Sequence, residues 1–379
     1  MAVGWHTGVV DVTGEVVIDT GVIRENTAAL RERAGPAEVM AVVKADGYGH
    51  GMVEAARAAL SGGAGWLGVT TVGEAVALRE AGIGGRVLCL LDDPEARHGE
   101  AISRGVDLGV GSGVTLRRVI AAAREAGRAA RVHLKADTGM SRGGATAVDW
   151  PGLVDAALAA QAEGCLEVVG LWSHMACADM PGHPSIMAQL SAFRDAVELA
   201  EKAGVRPEVR HLANTPATLT LPETWFDLVR PGGGIYGLCT LPGGPPEWLR
   251  GAMTARTRLV QVKRVPAGSG VSYGHRYTTA RETTLGLVPV GYSEGLPRAA
   301  SGRAQVFTGG RRWGISGTVC MNQFVIDLGD APAGTGDEVT LFGPGDDGEP
   351  TAQEWAEALG TISYEIVTGF GCRWPKSYR

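Results

Sequence analysis

The sequence predicts an α/β fold in which an eight-stranded (β/α)8 barrel of the TIM type is followed by a mostly antiparallel β domain. Between residues 38 and 235 one unit recurs eight times, made of a short apolar run, a polar or glycine turn and a helical pattern. After about residue 250, β-branched runs alternate with glycine turns instead. Glycine makes up 57 of the 379 residues, against a usual share of about 7%, as many short elements joined by turns require.

The eight apolar runs are predicted to be the barrel strands. They span residues 38–44, 66–70, 86–91, 106–110, 131–137, 167–175, 208–214 and 226–233. The stretches between them place apolar residues with a helical period, and several end in glycine, which is typical of amphipathic helices with a glycine C-cap. Short buried strands that alternate with helices form parallel sheets, and eight such units close most naturally into a barrel. An open, doubly wound sheet is the alternative.

Changes in composition predict the domain boundaries. Residues 14–245 are assigned to the barrel and residues 246–379 to the β domain, with the proline- and glycine-rich stretch 241–246 as the linker. Residues 1–13 are strand-like and precede the repeating pattern, so we expect them to join the β domain.

Composition argues against several classes of function. The formal net charge is −6 and no five basic residues follow one another, which argues against nucleic acid as a partner. No apolar run is long enough to span a membrane. The six cysteines are scattered without a C-x-x-C pair, which is typical of a reducing compartment and argues against a thiolate metal site. Since no secretory signal is recognisable, we expect a cytoplasmic protein without a bound metal.

The stretch AVVKADGYGHG at residues 41–51 is the strongest local signal. Lys44 ends the first predicted strand, at the face of a barrel where chemistry takes place. Burial there lowers the pKa of the amine and makes it nucleophilic enough to form a Schiff base with an aldehyde. A lysine that extends from the barrel rim without a role is the alternative.

The KADGYGHG segment resembles the pyridoxal phosphate motif of the alanine racemase family, which has fold type III. Eight further segments match that family in order, across both predicted domains. They span residues 134–144, 171–179, 211–218, 227–237, 271–278, 289–298, 317–324 and 361–367. The resemblance implies an alanine racemase with pyridoxal 5'-phosphate as cofactor, a small amino acid as substrate, and a homodimer with shared active sites.

Racemisation requires two bases, because a proton leaves one face of the amino acid and another arrives at the opposite face. The resemblance implies that Lys44, which carries the cofactor, is one base and that Tyr273 of the partner subunit is the other. A phenol is a poor base at neutral pH, and the resemblance gives it His174 as a hydrogen-bond partner. A packing role for Tyr273 is the alternative.

The resemblance also implies the residues that hold the cofactor. Arg230 resembles the arginine that faces the pyridine nitrogen, and a guanidinium, which does not release its proton, would leave that nitrogen unprotonated. Gly232 and Gly233 follow the eighth strand, where barrels usually bind phosphate. The other cofactor residues by resemblance are Tyr48, His174, Asn214, Thr215 and Tyr364. A surface salt bridge for Arg230 and a plain flexible turn for the glycines are the alternatives.

Substrate binding is assigned by resemblance to Arg142 and Met321. Lys135 resembles a lysine that is carbamylated in many relatives, and such a carbamate would orient Arg142. An unmodified Lys135 paired with an acid is the alternative.

The chain departs from the family pattern at three positions near the expected substrate wall. They are Thr318, Asn322 and Glu294. These departures leave open a racemase of the same family that acts on another amino acid, such as serine. A fold-type III decarboxylase and a non-catalytic cofactor-binding barrel are more distant alternatives, and Tyr273 with its surrounding β domain argues against both.

Overall fold

The computed structural model describes residues 14–379 and divides them into two compact units. Thr20–Arg250 forms the first unit, whereas Gly14–Asp19 and Gly251–Arg379 form the second. The predicted segment 1–13 lies outside the described residues. Within residues 14–379, no helix is both long and apolar enough to cross a membrane.

The first unit is the predicted barrel. Strand β1 (Gly14–Ile18) precedes it, and the barrel strands are β2 (Glu38–Val42), β3 (Trp66–Val69), β4 (Arg86–Cys89), β5 (Asp107–Val110), β6 (Ala130–Lys135), β7 (Leu166–Trp172), β8 (Val209–His211) and β9 (Leu228–Val229). Its helices are α1 (Thr20–Arg33), α2 (Lys44–Tyr48), α3 (Met52–Ser61), α4 (Val72–Glu80), α5 (His98–Ser103), α6 (Gly113–Ala126), α7 (Trp150–Ala162), α8 (Pro184–Ala203) and α9 (Thr215–Thr220). Every strand from β2 to β9 overlaps one of the eight predicted runs.

The order of the strands confirms the barrel. Strands β2 to β8 are paired in parallel in chain order, and β9, the last, pairs with β2, the first. On the other side of β9, the Arg230 N–H donates to the Ala213 carbonyl, which follows β8, at 3.0 Å. An open, doubly wound sheet reverses its strand order at a switch point. No such reversal occurs in this sheet, so that alternative is wrong.

The barrel interior is filled by large apolar side chains. One buried cluster takes a residue from each of six strands, namely Met40, Trp66, Leu88, Val169, Val209 and Leu228. Burying such a side chain contributes about 1.5–3 kcal/mol, so these contacts fix the strands from which the loops of the site extend.

Glycine and short polar residues limit the helices, as the sequence predicted. Helix α6 begins after Ser112, whose hydroxyl accepts the Thr115 N–H at 3.2 Å, and it ends at Gly127, which has φ of +61°. That left-handed conformation is accessible to glycine at little cost.

The second unit is mainly antiparallel. Its remaining elements are β10 (Met253–Arg258), β11 (Gln261–Val265), β12 (Gly270–Val271), β13 (Tyr277–Thr278), β14 (Thr283–Val288), β15 (Gln305–Thr308), β16 (Arg311–Gly314), β17 (Phe324–Gly329), β18 (Glu338–Phe342), α10 (Ala352–Leu359), α11 (Ser363–Gly371) and β19 (Lys376–Tyr378). A six-stranded sheet has the order β16-β15-β18-β10-β1-β19, and a three-stranded sheet has the order β11-β14-β17. Strands β12 and β13 form a separate pair.

Both domain boundaries differ from the predicted ones. Strand β1, assigned by sequence to the barrel, pairs with β10 and β19 in the second unit, where Val16 and Ile18 are fully buried. Residues 246–250, assigned to the β domain, belong to the barrel unit. The Asn26 side chain holds them there, because it donates to the Arg250 carbonyl at 2.8 Å and accepts the Arg250 N–H at 3.1 Å.

Candidate active site

Lys44 stands at the carboxyl end of β2, at the start of an unusual turn. Ala45, Asp46 and Tyr48 have φ of +52°, +52° and +54°, in the left-handed region that residues other than glycine rarely adopt. Each such residue costs on the order of 1–3 kcal/mol and persists only where its surroundings enforce it. The Asp46 carboxylate enforces part of the turn, since it accepts the N–H of Met52 at 2.9 Å.

The carboxylate of Glu74 enforces the other part. One oxygen accepts the Ala45 N–H at 2.7 Å, while the other accepts the N–H groups of Thr70 and Thr71 at 2.7 and 3.0 Å. Glu74 also forms a capping box with Thr71 at the start of α4. A single carboxylate therefore connects the turn that carries Lys44 to the end of the neighbouring strand, β3.

The surroundings of Lys44 shift its protonation equilibrium toward the neutral amine. Burial is the largest cause that lowers its pKa, and the positive charges of Arg142 and Arg230 act in the same direction. Glu74 opposes them. A neutral amine is the nucleophilic and basic form of lysine.

Arg230 is buried directly after β9, and its two terminal nitrogens are fully engaged. One nitrogen donates to His211 Nδ1 at 3.0 Å. The other lies 2.7 Å from the Ser173 carbonyl oxygen and 3.1 Å from that of Leu212. It also lies 3.3 Å from Nδ1 of His174. Burial lowers the pKa of Arg230 to about 9, which leaves it charged at neutral pH. Among the described residues, none accepts a hydrogen bond from its Nε–H.

His174 is neutral in this environment. Burial and the nearby positive charges, first that of Arg230, hold its pKa well below the usual value. Its Nδ1 therefore accepts the Arg230 proton, and its Nε2 carries the remaining hydrogen.

The glycine run after Arg230 forms a tight cradle with Thr215 and Tyr48. The Thr215 hydroxyl accepts the N–H groups of Gly232 and Gly234 at 3.0 and 3.2 Å. A Cβ atom on Gly232 would lie 2.3 Å from the Tyr48 hydroxyl, so only glycine fits there. Burial raises the pKa of Tyr48, which keeps the phenol protonated and able to donate to an anion.

Two other predicted cofactor residues, Asn214 and Gly233, each stand at the start of a helical segment. The Asn214 side chain caps α9, since it accepts the Ala217 N–H at 3.2 Å. Gly233 begins a short 3-10 turn, Gly233–Tyr236, directly after Gly232.

Lys135 ends β6 with its ammonium nitrogen 4.5 Å from the centre of the Trp172 ring. Burial, then Arg230 and Arg142, lower its pKa to about 8. No carboxylate within residues 14–379 forms an ion pair with it, which contradicts the acid-paired alternative. Arg142 is exposed on the loop after β6, where the Asp137 carboxylate accepts three successive N–H groups at 3.0–3.1 Å and shapes the loop.

Positive charge is thus concentrated at one face of the barrel. Four cationic side chains lie at the carboxyl ends of its strands and raise the local potential together, namely Lys44, Lys135, Arg142 and Arg230. In the described part of the chain, none of them is paired with a carboxylate. Such a face attracts an anionic ligand.

The remaining predicted site residues belong to the second unit. Tyr273, 73% exposed, lies in the turn after β12, and its carbonyl accepts the buried Thr318 hydroxyl at 2.8 Å. Met321 is also exposed, and Tyr364 lies half-buried on α11.

Two of the departures from the family pattern contact each other. The Asn322 amide donates to the Glu294 carboxylate at 2.7 Å and to the Ser293 hydroxyl at 2.6 Å. An aspartate at position 322 would bring a second carboxylate against Glu294, which the asparagine amide avoids. Thr318, the third departure, holds the backbone of Tyr273 in place.

Sequence reasoning missed two residues of this region. Neither Glu74 nor His211 was singled out, although one fixes the Lys44 turn and the other bonds to Arg230. The T-x-x-E spacing of Thr71 and Glu74 is a capping-box signal, whereas the link from Glu74 to Ala45, 29 residues earlier, has no local signal. Across residues 14–379, no group of three or more His, Cys, Asp or Glu side chains is arranged to hold a metal ion.

Comparison with known proteins supports one family across both units. Residues 18–240 match the family model of the alanine racemase N-terminal domain, and residues 252–378 match that of the C-terminal domain. The alanine racemase of Frankia casuarinae is 57% identical over 97% of each chain. Solved structures of alanine racemases from Streptomyces lavendulae and Streptomyces coelicolor both have a TM-score of 0.95, with 54% and 53% identity over at least 97% of each chain. The chain therefore belongs to the alanine racemase family.

Proposed function

We propose that this chain interconverts L- and D-alanine with pyridoxal 5'-phosphate as its cofactor. The observation that carries the proposal is the grouping of a desolvated Lys44, a buried Arg230 and the Gly232 cradle at one end of the barrel. When bound, the cofactor supplies the electron-withdrawing ring that makes the α-proton of an amino acid acidic. The family membership of the chain supports the same assignment.

The residues of the barrel fit this cofactor. The cradle of Thr215, Tyr48 and the glycine run places two hydroxyl groups beside backbone that carries no Cβ at Gly232, an arrangement that suits a phosphate. The Nε–H of Arg230 has no acceptor among the described residues and remains available for a pyridine nitrogen. Because an arginine donates this hydrogen bond without giving up its proton, the ring nitrogen would stay unprotonated.

Two bases carry the proton transfer in this proposal. Lys44 removes or returns the proton on one face of the amino acid, and Tyr273 of the partner subunit does so on the other. The exposure of Tyr273 and its place in a different unit from Lys44 support a homodimer in which each site takes residues from both subunits. Neutral His174 would assist the phenol as a hydrogen-bond partner.

Arg142 and Met321 are proposed to bind the substrate. Arg142 is exposed, belongs to the cationic face and suits a carboxylate through its planar fork. We also propose a carbamate on Lys135, in which the neutral amine adds to carbon dioxide and releases one proton. The pKa of about 8 supports it, since about a tenth of the amines are neutral at pH 7, and the resulting anion would orient Arg142.

Alanine is favoured over serine as substrate because Asn322 and Glu294 satisfy each other. The amide nitrogen of Asn322 and the Glu294 carboxylate are therefore engaged within the β domain and are not free to hold a serine hydroxyl. The absence of a paired cysteine motif in the sequence supports our proposal that the enzyme works in the cytoplasm.

Lys44→Ala tests the proposal. Chiral chromatography of an amino acid panel should show alanine racemisation by the unaltered enzyme and a loss of more than about 10³-fold in the variant. Borohydride reduction followed by peptide mass spectrometry should attach the cofactor to Lys44. Lys202→Ala, which removes an exposed lysine paired with Glu198, should keep full activity. A labelled lysine elsewhere, or serine turnover above that of alanine, would overturn the assignment.

A further inference from the structure

A line of polar side chains crosses the interior of the barrel behind Arg230. Nδ1 of His211 faces Arg230 at 3.0 Å, and Nε2 of His211 faces Nδ1 of His133 at 2.8 Å. Nε2 of His133 then faces the Asp107 carboxylate at 3.3 Å. Both imidazoles are fully buried, and Asp107 is 3% exposed.

The donors and acceptors along this line can be arranged in only one way. A guanidinium only donates, so Nδ1 of His211 accepts and its Nε2 carries the hydrogen. That hydrogen is donated to Nδ1 of His133, and the Nε2–H of His133 is donated to Asp107. Burial lowers the pKa of both histidines, in agreement with two neutral rings.

The surrounding residues make room for this line. A Cβ atom on Gly170 would lie 2.2 Å from Nδ1 of His133, so glycine is required on β7 where the histidine passes. The Trp172 ring lies parallel to His211, with centroids 5.6 Å apart, and its Nε1–H donates to the His133 carbonyl at 3.2 Å. Each ring is therefore held in position from more than one side.

The line joins opposite ends of the barrel. Asp107 begins β5, whereas Arg230 directly follows β9. Burial alone would raise the pKa of Asp107, but the hydrogen bond from His133 and the charge of Arg131, at 3.0 Å, hold it below its usual value. Asp107 is thus a carboxylate at neutral pH. Arg230 has no ion pair among the described residues. Hydrogen bonds through the two histidines connect it instead to the negative charge of Asp107.

We propose that Asp107 and His133 are positioning residues for the racemase reaction, acting on Arg230 from the opposite end of the barrel. Arg230 fixes the tautomer of His211 from one end of the line and Asp107 fixes that of His133 from the other, and the charge of Asp107 stabilises the guanidinium through the two polarised rings. This orients Arg230 so that its Nε–H remains directed to a ligand. The inference rests on the proposed role of Arg230 toward the pyridine nitrogen.

Asp107→Asn removes the charge while leaving an oxygen that can accept from His133. Glu167→Gln is the matched control, because Glu167 also contacts Arg131, at 2.8 Å, but is not part of the line. In the holoenzyme we expect kcat to fall about 10–100-fold, as for other outer residues that orient a reacting group, with KM little changed. Pyruvate is the product when alanine is transaminated instead of racemised. The fraction of turnovers that end in pyruvate should rise in Asp107→Asn and remain unchanged in Glu167→Gln.

A second measurement does not depend on turnover. Nitrogen-15 NMR of the histidine rings in the cofactor-free chain should show single tautomers for His133 and His211, and a tautomer mixture at His133 in Asp107→Asn, because an amide can donate as well as accept. If that variant does not fold, His133→Gln breaks the line while Asp107 keeps its ion pair with Arg131, and it should lower kcat and raise the pyruvate fraction as expected for Asp107→Asn.

The outcomes separate this inference from the proposed function. Unchanged tautomers and an unchanged pyruvate fraction in Asp107→Asn, or equal effects in Glu167→Gln, would overturn the positioning role. Racemisation by Lys44→Ala would instead overturn the proposed function, and the tautomer measurement would still decide whether the line exists.

Discussion

Lys135 is a lysine whose ammonium form the barrel disfavours. Its pKa falls from an ordinary 10.5 to about 8 on folding, so between these values the unfolded chain binds more protons than the folded one. Stability therefore rises as the pH rises through this window. Below pH 8 the full cost of the buried ammonium is present, and above about pH 10.5 it has vanished.

Replacing Lys135 with Met should consequently raise the melting temperature at pH 7, with a gain that shrinks toward zero at pH 10.5. Thermal unfolding of the cofactor-free chain in buffer without carbon dioxide measures this. Lys202→Met, at an exposed position, should show no such pH dependence. A gain of equal size at both pH values would mean that packing, and not charge, is the cause.

At the same scale, Asn322 shows what sequence reasoning could and could not predict. Its departure from the family was visible, and it suggested a change in the wall of the substrate site. That Asn322 bonds to Glu294, a second departure 28 residues earlier, was not predictable. The contact is made by two loops that only the folded β domain brings together.

The turn that carries Lys44 is an element held against its own conformational preference. Three residues other than glycine are left-handed in it, and Glu74 restrains it through Ala45. Removal of this carboxylate should let the turn relax and displace the Lys44 amine. Loss of its capping-box contacts should by itself cost about 1 kcal/mol of stability, as at an ordinary helix cap.

Glu74→Ala should reduce kcat about 10–100-fold and slow the covalent attachment of pyridoxal phosphate, since a displacement near 1 Å suffices for such losses. Glu354→Ala is the matched control, because Glu354 forms the same capping box with Thr351 at α10 in the other unit. Stopped-flow absorbance measures the rate of cofactor attachment in the two variants, and melting curves measure their stability. We expect both variants to lose a similar amount of stability, but only Glu74→Ala to attach the cofactor more slowly. Equal attachment rates in the two variants would contradict the role of Glu74 in restraining the Lys44 turn.

Among the larger elements, the barrel strands were predictable and the ends of the barrel were not. Apolar runs of regular spacing identify buried parallel strands well, because both faces of each strand are covered. Strand β1 has the same local character as those runs. Only its pairing with β10, more than 230 residues later, assigns it to the second unit, and no local pattern encodes such a pairing.

At the scale of the whole molecule, the proposed site needs two copies of the chain. Lys44 and Tyr273 belong to different units, and we propose that they meet between subunits. An isolated monomer should then bind cofactor without racemising, and activity should fall on dilution as the dimer dissociates.

Mixing inactive Lys44→Ala with inactive Tyr273→Phe tests this arrangement. On random exchange about half of the dimers are mixed, and each mixed dimer has one intact site out of two, so recovery of roughly a quarter of full activity is expected. Native mass spectrometry provides the proof of exchange. No recovery despite exchange would place both bases in one chain.

The pairing of β1 with β10 and β19 also sets an order of events during synthesis. Strand β1 emerges from the ribosome before the barrel, but its partners emerge after it, β19 as the last element of the described chain. The barrel unit, Thr20–Arg250, contains all of its own strand partners and can close while the rest is being translated. During that interval both edges of β1 lack their partners, and unpaired edges readily bind other strands. Nascent chains halted only after residue 250 has left the ribosomal exit tunnel should therefore already resist proteolysis in the barrel, while β1 remains a site for cleavage or for capture by a chaperone.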